Sequence, residues 1–255
     1  VEINHAQGRY KGSTLTASGS VFGRDAANSD PTISIRIEDL TLDKRLLEAM
    51  PAPVRDALVA WRIGGPFSAA ISLSPASKSA ADQRITYSGE IRLAGNALRP
   101  SFAQAPLRDV SGVARFGADG VSIQSMTGRL GEARVVADVD IRTPADGAKR
   151  RGTVKLQISD LAVQSGLVQL LPEPLRRTAL RMGASGRMDV DIRELAFTHE
   201  SPDDRRHWSI DAGVRFLNCA LPGVGELRRL QGTATVSGTA LDARGGTSLS
   251  GELNL

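Results

Sequence analysis

The densest collection of groups able to bind a metal or move a proton is His199-Glu200-Ser201-Pro202-Asp203-Asp204-Arg205-Arg206-His207. Its two imidazoles and three carboxylates could ligate a divalent ion. Proline, paired aspartates and paired arginines between two alternating segments are also what a solvated turn is made of, and the sequence favours that reading. Asp189 and Asp191 fall on one face of a strand, as any alternating polar face would place them. Acid–base chemistry would need burial or a partner, and neither is visible. Arg55 and Arg176, each following a proline, could meet phosphate groups. An arginine lying over apolar helix neighbours accounts for them more simply. Gly223 and Gly225 follow Pro222 and read as a turn, and His5 is isolated on a polar strand face. Cys219 is the only cysteine, which excludes an intrachain disulfide and a cysteine zinc site. Its apolar flanks, Leu217 and Ala220-Leu221, make it a small buried hydrophobe. No nucleophile elbow, phosphate loop, zincin motif or dinucleotide fingerprint is present. The sequence therefore predicts no catalytic residue, no metal and no cofactor, and no enzymatic role.

The elements that would position any site are strands. The chain has 255 residues, 41% of them hydrophobic, enough to bury a large apolar surface. Aromatics are only 4%, too few for a core built on rings, while Gly 26 and Pro 12 suit many short segments joined by turns. Lys and Arg total 32 against 28 Asp and Glu, a net charge of +4, and the two signs are interspersed. The longest basic run is Lys149-Arg150-Arg151, expected in a loop, so no nucleic-acid partner is predicted. No apolar run reaches the ~20 residues of a spanning helix. Val1-Glu2-Ile3 and Leu253-Asn254-Leu255 already alternate, and both ends read as cuts through a longer protein.

Period-two alternation recurs along the chain. Ile33, Ile35 and Ile37 alternate with polar residues, as do Phe67, Ala69, Ile71 and Leu73. So do Val121 and Ile123, Val139 and Ile141, then Val154, Leu156 and Ile158. Met188, Val190 and Ile192 follow, and Trp208, Ile210, Ala212, Val214 and Phe216 form the longest series. Strands with one apolar and one polar face are antiparallel strands; buried parallel ones would be apolar throughout. Two helical stretches interrupt them, about Asp43 to Met50 continuing from Ala52 to Trp61, and about Ser165 to Leu171 continuing from Glu173 to Met182. Asp43 suits an N-cap, and Pro51 and Pro172 break each pair.

These helices lie inside an internal repeat. ISIRIEDLTLDKRLLEAMPAPVRDALVAWRIGGPFSAAI from Ile33 aligns without a gap to VKLQISDLAVQSGLVQLLPEPLRRTALRMGASGRMDVDI from Val154, at an offset of 121 (160 − 39). VEINHAQGRY at the start resembles VSIQSMTGRL from Val121, and IRLAGNAL from Ile91 corresponds to VRFLNCAL from Val214. The expected division is 1–32 as the end of one repeat, 33–153 as a full repeat and 154–255 as a second, truncated one. Long repeats stack into quasi-linear arrays, here an elongated, curved antiparallel β-sheet groove with short Pro-broken helices between repeats. Neighbouring repeats would pair with its edges. Periodicity leaves two outcomes open. The apolar faces could close into a core, giving a structural or interaction protein. Or they could form an open trough lined by Ile33, Ile35, Ile37, Phe67, Ile71, Leu73, Val154, Leu156, Ile158, Met188, Val190, Ile192, Ile210, Val214 and Phe216.

The phrase IEDLTLDKRLLEAMPAPVRDAL and its echo ISDLAVQSGLVQLLPEPLRRTAL resemble the AsmA-like family, as do strand phrases from Gly128-Arg129-Leu130 through Ile141. The matching positions are Asp39, Leu40, Leu46, Pro51, Arg55, Leu58 and Gly65. In the second copy they are Asp160, Leu161, Leu167, Pro172, Arg176 and Gly186, with Ala179 in place of the leucine. The resemblance implies a periplasmic segment of a bridge-like lipid transfer protein of diderm bacteria, anchored in the inner membrane through a segment absent from this chain. Its partners would be phospholipid acyl chains, and the inner and outer membranes at the ends of the parent protein.

Overall fold

The computed structural model describes residues 2–22, 30–49, 52–75, 85–99, 106–143, 149–163, 185–200, 205–221, 227–241 and 247–254. The strands are β1 (Glu2–Tyr10), β2 (Ser13–Phe22), β3 (Asp30–Leu40), β4 (Ile63–Gly64), β5 (Phe67–Pro75), β6 (Ile85–Leu98) and β7 (Leu107–Gly117). They continue as β8 (Gly120–Leu130), β9 (Ala133–Arg142), β10 (Lys149–Ala162), β11 (Arg187–Glu200), β12 (Arg205–Leu221), β13 (Leu227–Leu241) and β14 (Thr247–Asn254). The helices α1 (Lys44–Ala49) and α2 (Ala52–Trp61) both lie between β3 and β4.

Successive strands with one apolar and one polar face pair most directly in chain order. All of them enter one 14-stranded sheet, curved but not closed, in chain order apart from the short β4, which pairs β6. Between β1 and β2, Lys11 (φ 49) and Gly12 (φ 91) both take positive φ. That is the primed turn whose twist matches its flanking strands.

The repeat is visible in the backbone. Register slips between Ile37 and Leu40 and again between Ile158 and Leu161. Within those slips Asp39 (φ 54) and Asp160 (φ 61) take the left-handed conformation that aspartate tolerates better than most residues. Gly65 (φ 88) and Gly186 (φ 112) recur at the same offset. Gly64 pairs with Ala97, and Ser185 with Ala220.

Asp43 caps α1 as its sequence position suggests: Oδ1 accepts the Leu46 N–H at 2.8 Å. Tyr10 Oη and Lys11 Nζ reach Oδ2 of the same carboxylate at 2.8 and 2.5 Å, tying the helix to the first turn. These interactions, led by the Lys11 ammonium, hold the Asp43 carboxyl well below the usual carboxylate range. A six-residue helix has no independent stability, so α1 depends on this tether and on packing. The expected helix over 165–182 lies outside the described residues.

The core follows one end of the strands instead of lying between two layers. Leu40, Phe67, Ala69, Leu93, Leu98 and Val110 form one buried cluster, with Leu42 and α1's Leu46 packed against it. Leu130, Ala133, Val135, Ile158 and Leu161 form the next, and Val163, Cys219 and Leu230 a third. Leu107 touches the first two and Met188 the last two, which links the clusters into one seam. α1 therefore covers the apolar face at one end of the strands.

Candidate functional site

Register across the sheet assembles a site that no single segment contains. From Leu15 a cross-strand row runs through Ile37, Ala69, Ile91, Ala114, Ile123 and Val139. It continues through Val154, Leu195, Ile210, Gly238 and Leu249, so from β2 to β14 it meets no charged or polar side chain. A second row lies beside it: Ala17, Ile35, Ile71, Gly89, Phe116, Val121, Ile141, Gly152, Phe197 and Trp208. Two of its glycines are shielded by rings. A Cβ on Gly89 would stand 2.6 Å from Phe116 Cζ, and one on Gly152 2.2 Å from the Phe197 ring. Phenylalanine thus fills the space that glycine leaves in the face, as cross-strand aromatic pairing does at glycine kinks.

The opposite face is polar. Arg36, Ala70, Glu90, Arg115, Ser122, Asp140 and Thr153 succeed one another across the strands. Two aspartates of this face, Asp189 and Asp211, are held below the usual carboxylate range. The Asp160 N–H and then Arg215 lower the Asp189 carboxyl, and Arg193 lowers that of Asp211. The Asp160 N–H reaches Asp189 Oδ1 at 2.9 Å, and the Arg193 Nε reaches Asp211 Oδ2 at 2.8 Å. A carboxylate pushed away from neutrality is poorly suited to general acid–base work, so these are cross-strand ties.

Burial is graded along the strands. Eight of the predicted lining residues are only half-buried and belong to none of the buried clusters: Ile33, Ile35, Ile71, Leu73, Val154, Ile192, Ile210 and Val214. Tyr87, Val121 and Trp208, at 43, 39 and 38% exposure, mark the open end. Ile37, Leu156, Met188, Val190 and Phe216 line the approach to the seam, partly buried against it. Phe67 (4%) and Ile158 (6%) are instead inside the seam, covered by protein. Among the described residues each strand packs chiefly against its hydrogen-bonded neighbours, with no second sheet laid over the first. This half-buried apolar face, without a second layer over it among the described residues, is the candidate site.

The predicted lining left out β6 to β9, although Val121, Ile123, Val139 and Ile141 are alternating positions in the sequence. Ile91, Ala114, Ile123 and Val139 sit in the middle of the longest row, and Phe116 in the row beside it. Alternation there is broken by register slips at Ala94/Asn96, Arg108/Ser111 and Ile123/Met126. Glycine at row positions hid the rest.

Lys149-Arg150-Arg151 is not a loop. It opens β10, where pairing with Glu200, His199 and Thr198 of β11 draws it into the sheet. The ends of the His199–His207 stretch are likewise paired, His199 with Arg206 and Glu200 with Arg205. Among the described residues no three His, Cys, Asp or Glu gather as a metal cluster. Asp189 and Asp191 share a face as expected, and Cys219 is buried at 2%. Arg176, Gly223 and Gly225 lie outside the described residues. No described helix is long and apolar enough to cross a membrane. No protein-family model, curated protein or solved structure matches this chain.

Proposed function

We propose that this chain is a periplasmic segment of an AsmA-like, bridge-type lipid transfer protein, whose sheet carries phospholipid acyl chains along its apolar face between inner and outer membrane. The observation that carries this reading is the row from Leu15 to Leu249 without a charged or polar side chain, half-buried rather than sealed at most of its described positions. Each methylene withdrawn from water is worth ~0.8 kcal/mol, so an acyl chain of about sixteen carbons gains on the order of 10 kcal/mol before ordering costs. An aliphatic face needs area rather than directed hydrogen bonds, and so tolerates a chain that slides. Continuity between strands matters more here than a deep pocket.

Photo-crosslinking residues at Ile35, Val154 and Ile192, with Arg36 on the opposite face as control, test it in cells. Phospholipid adducts at the three apolar positions and none at Arg36 are expected. A folded, expressed protein that yields adducts at none of the three, or equally at Arg36, would sink the proposal. The closed-core alternative has no comparable observation in its favour, because no second layer packs on the described face.

A further inference from the structure

The cross-strand row beyond the one from Ala17 to Trp208 changes character along the sheet, between the strands of the first repeat and those of the second. At the open end of the first, the positions beyond Ile35 and Ile71 remain apolar: Ile33 pairs with Leu73, and Leu73 with Tyr87. In the second, Gly152, Phe197 and Trp208 form the last apolar row of β10 to β12, and the next row is Arg150, His199 and Arg206. Arg150 is exposed and His199 half-buried. Arg150 and His199 line one depression together with Phe197, Thr198 and Trp208. The Phe197 and Trp208 rings stand 5.4 Å apart, tilted by 38°, with Phe197 over Gly152. Apolar rows, two aromatic rings and then basic side chains follow in that order along the strands.

We propose that this depression is a headgroup site for an anionic phospholipid, with Arg150 and His199 taking the phosphate while the acyl chains lie back across Phe197 and Trp208 toward Leu195 and Ile210. The inference rests on the lipid-carrying reading of the apolar face and adds selectivity to it. Charge complementarity specifies the occupant. Arginine's fork of donors fits phosphate oxygens, and an amphiphile alone satisfies both halves of the depression. Arg142, at the end of β9 on the polar face, is engaged by Asp140 at 2.9 Å and Asp119 at 3.6 Å. The site would make this part of the sheet a place where a lipid pauses, while the rest of the face lets it move.

Trp208 is a built-in reporter, because Trp61 is the only other tryptophan. In a Trp61→Phe background, Trp208 fluorescence is read against short-chain phosphatidylglycerol carrying brominated acyl chains. The phosphatidylcholine of the same chains and inorganic phosphate serve as the comparison arms. Quenching is expected at roughly tenfold lower concentration for phosphatidylglycerol than for phosphatidylcholine. Arg150→Gln with His199→Gln should remove that preference and leave the phosphatidylcholine curve in place. Equal quenching by the two lipids in the parent overturns the headgroup site alone. So does a preference that survives the double substitution, or displacement of the lipid by equimolar inorganic phosphate. Absence of quenching by either lipid, together with no adducts at Ile35, Val154 and Ile192, overturns the acyl-carrying face as well.

Discussion

Asn96 and Cys219 hold the same place in the two repeats and tie down the same carbonyl with different atoms. The Asn96 amide donates to the Pro66 carbonyl at 2.8 Å, and the Cys219 thiol to that of Arg187 at 3.0 Å. Pro66 and Arg187 are related by the repeat offset (187 − 66 = 121). Each residue follows one with positive φ, Gly95 (φ 81) or Asn218 (φ 132), and each is almost fully buried. Asn96 pins the residue before β5 and Cys219 the first residue of β11, beside the seam of clusters. Asn96 does more: it also donates to the Gly64 carbonyl at 3.2 Å and accepts the Ala94 N–H at 2.9 Å.

Replacing Asn96 by leucine should therefore destabilise the sheet by about 2–3 kcal/mol, because it leaves buried backbone groups without partners. Cys219→Ala should cost about 1 kcal/mol, since a thiol is a weak donor and little volume is lost. Urea unfolding midpoints compare the two. Equal losses would mean that packing alone governs the position.

The same comparison explains what could be read from sequence. The strands of β3, β5, β10 and β12 are legible because they alternate without interruption across their apolar rows. The Asn96–Cys219 equivalence is present in the sequence as IRLAGNAL against VRFLNCAL. Its meaning depends on carbonyls some thirty residues upstream, which no local pattern reports. Asp39 and Asp160 belong to the repeated phrase, but nothing in their composition announces a bulge. The row of Arg150, His199 and Arg206 was hidden for the same reason. It exists only once β10, β11 and β12 are in register, and all three of its members sit in stretches whose composition reads as loop.

Left-handed backbone at the repeated bulges gives a sharper test of the fold. Asp39→Gly should change stability by only a few tenths of a kcal/mol, because glycine accepts φ near +54 freely. Asp39→Val should cost about 1–2 kcal/mol. Gly186→Ala combines positive φ with a Cβ that would stand 2.3 Å from the Asn218 carbonyl oxygen, and should cost about 2 kcal/mol or more. Thermal melts of the three variants should rank in that order. Tolerance of Gly186→Ala would contradict the close approach of the two chains.

Acid should weaken the protein through its tied carboxylates. Asp43, Asp189 and Asp211 all have folded pKa values depressed by donors and cations. Their contribution is complete above the unfolded aspartate value of about 3.9 and is lost as pH falls through the lower folded values. Stability should be nearly level above about pH 5 on their account and decline steadily below about pH 4. Asp189 is the least exposed of the three ion-paired side chains, at 20%. Asp189→Asn should therefore flatten the decline more than Asp211→Asn, because the Asp211 side chain is 47% exposed and water screens that pair. Chemical denaturation repeated across this range measures the slope, and a decline unchanged by Asp189→Asn would remove that residue from the account.

A charge placed in the middle of the longest row separates an open face from a sealed one. Val139 pairs with Ile123 on one side and Val154 on the other, and is only half-buried. In a sealed core, Val139→Glu would strand a carboxylate among aliphatic side chains at a cost of about 3–5 kcal/mol, enough to unfold many domains. On an open face the carboxylate reaches water, and only part of one valine's burial is lost, about 1–2 kcal/mol. The variant is expected to fold with a slightly lowered urea midpoint. It should lose phospholipid crosslinking at the adjacent Val154 while keeping it at the distant Ile35, because an acyl chain crossing from β9 to β10 would have to lie against the new charge. Unfolding on substitution would show that protein already occupies this face. Undiminished crosslinking at Val154 in a folded variant would show that lipid takes another route.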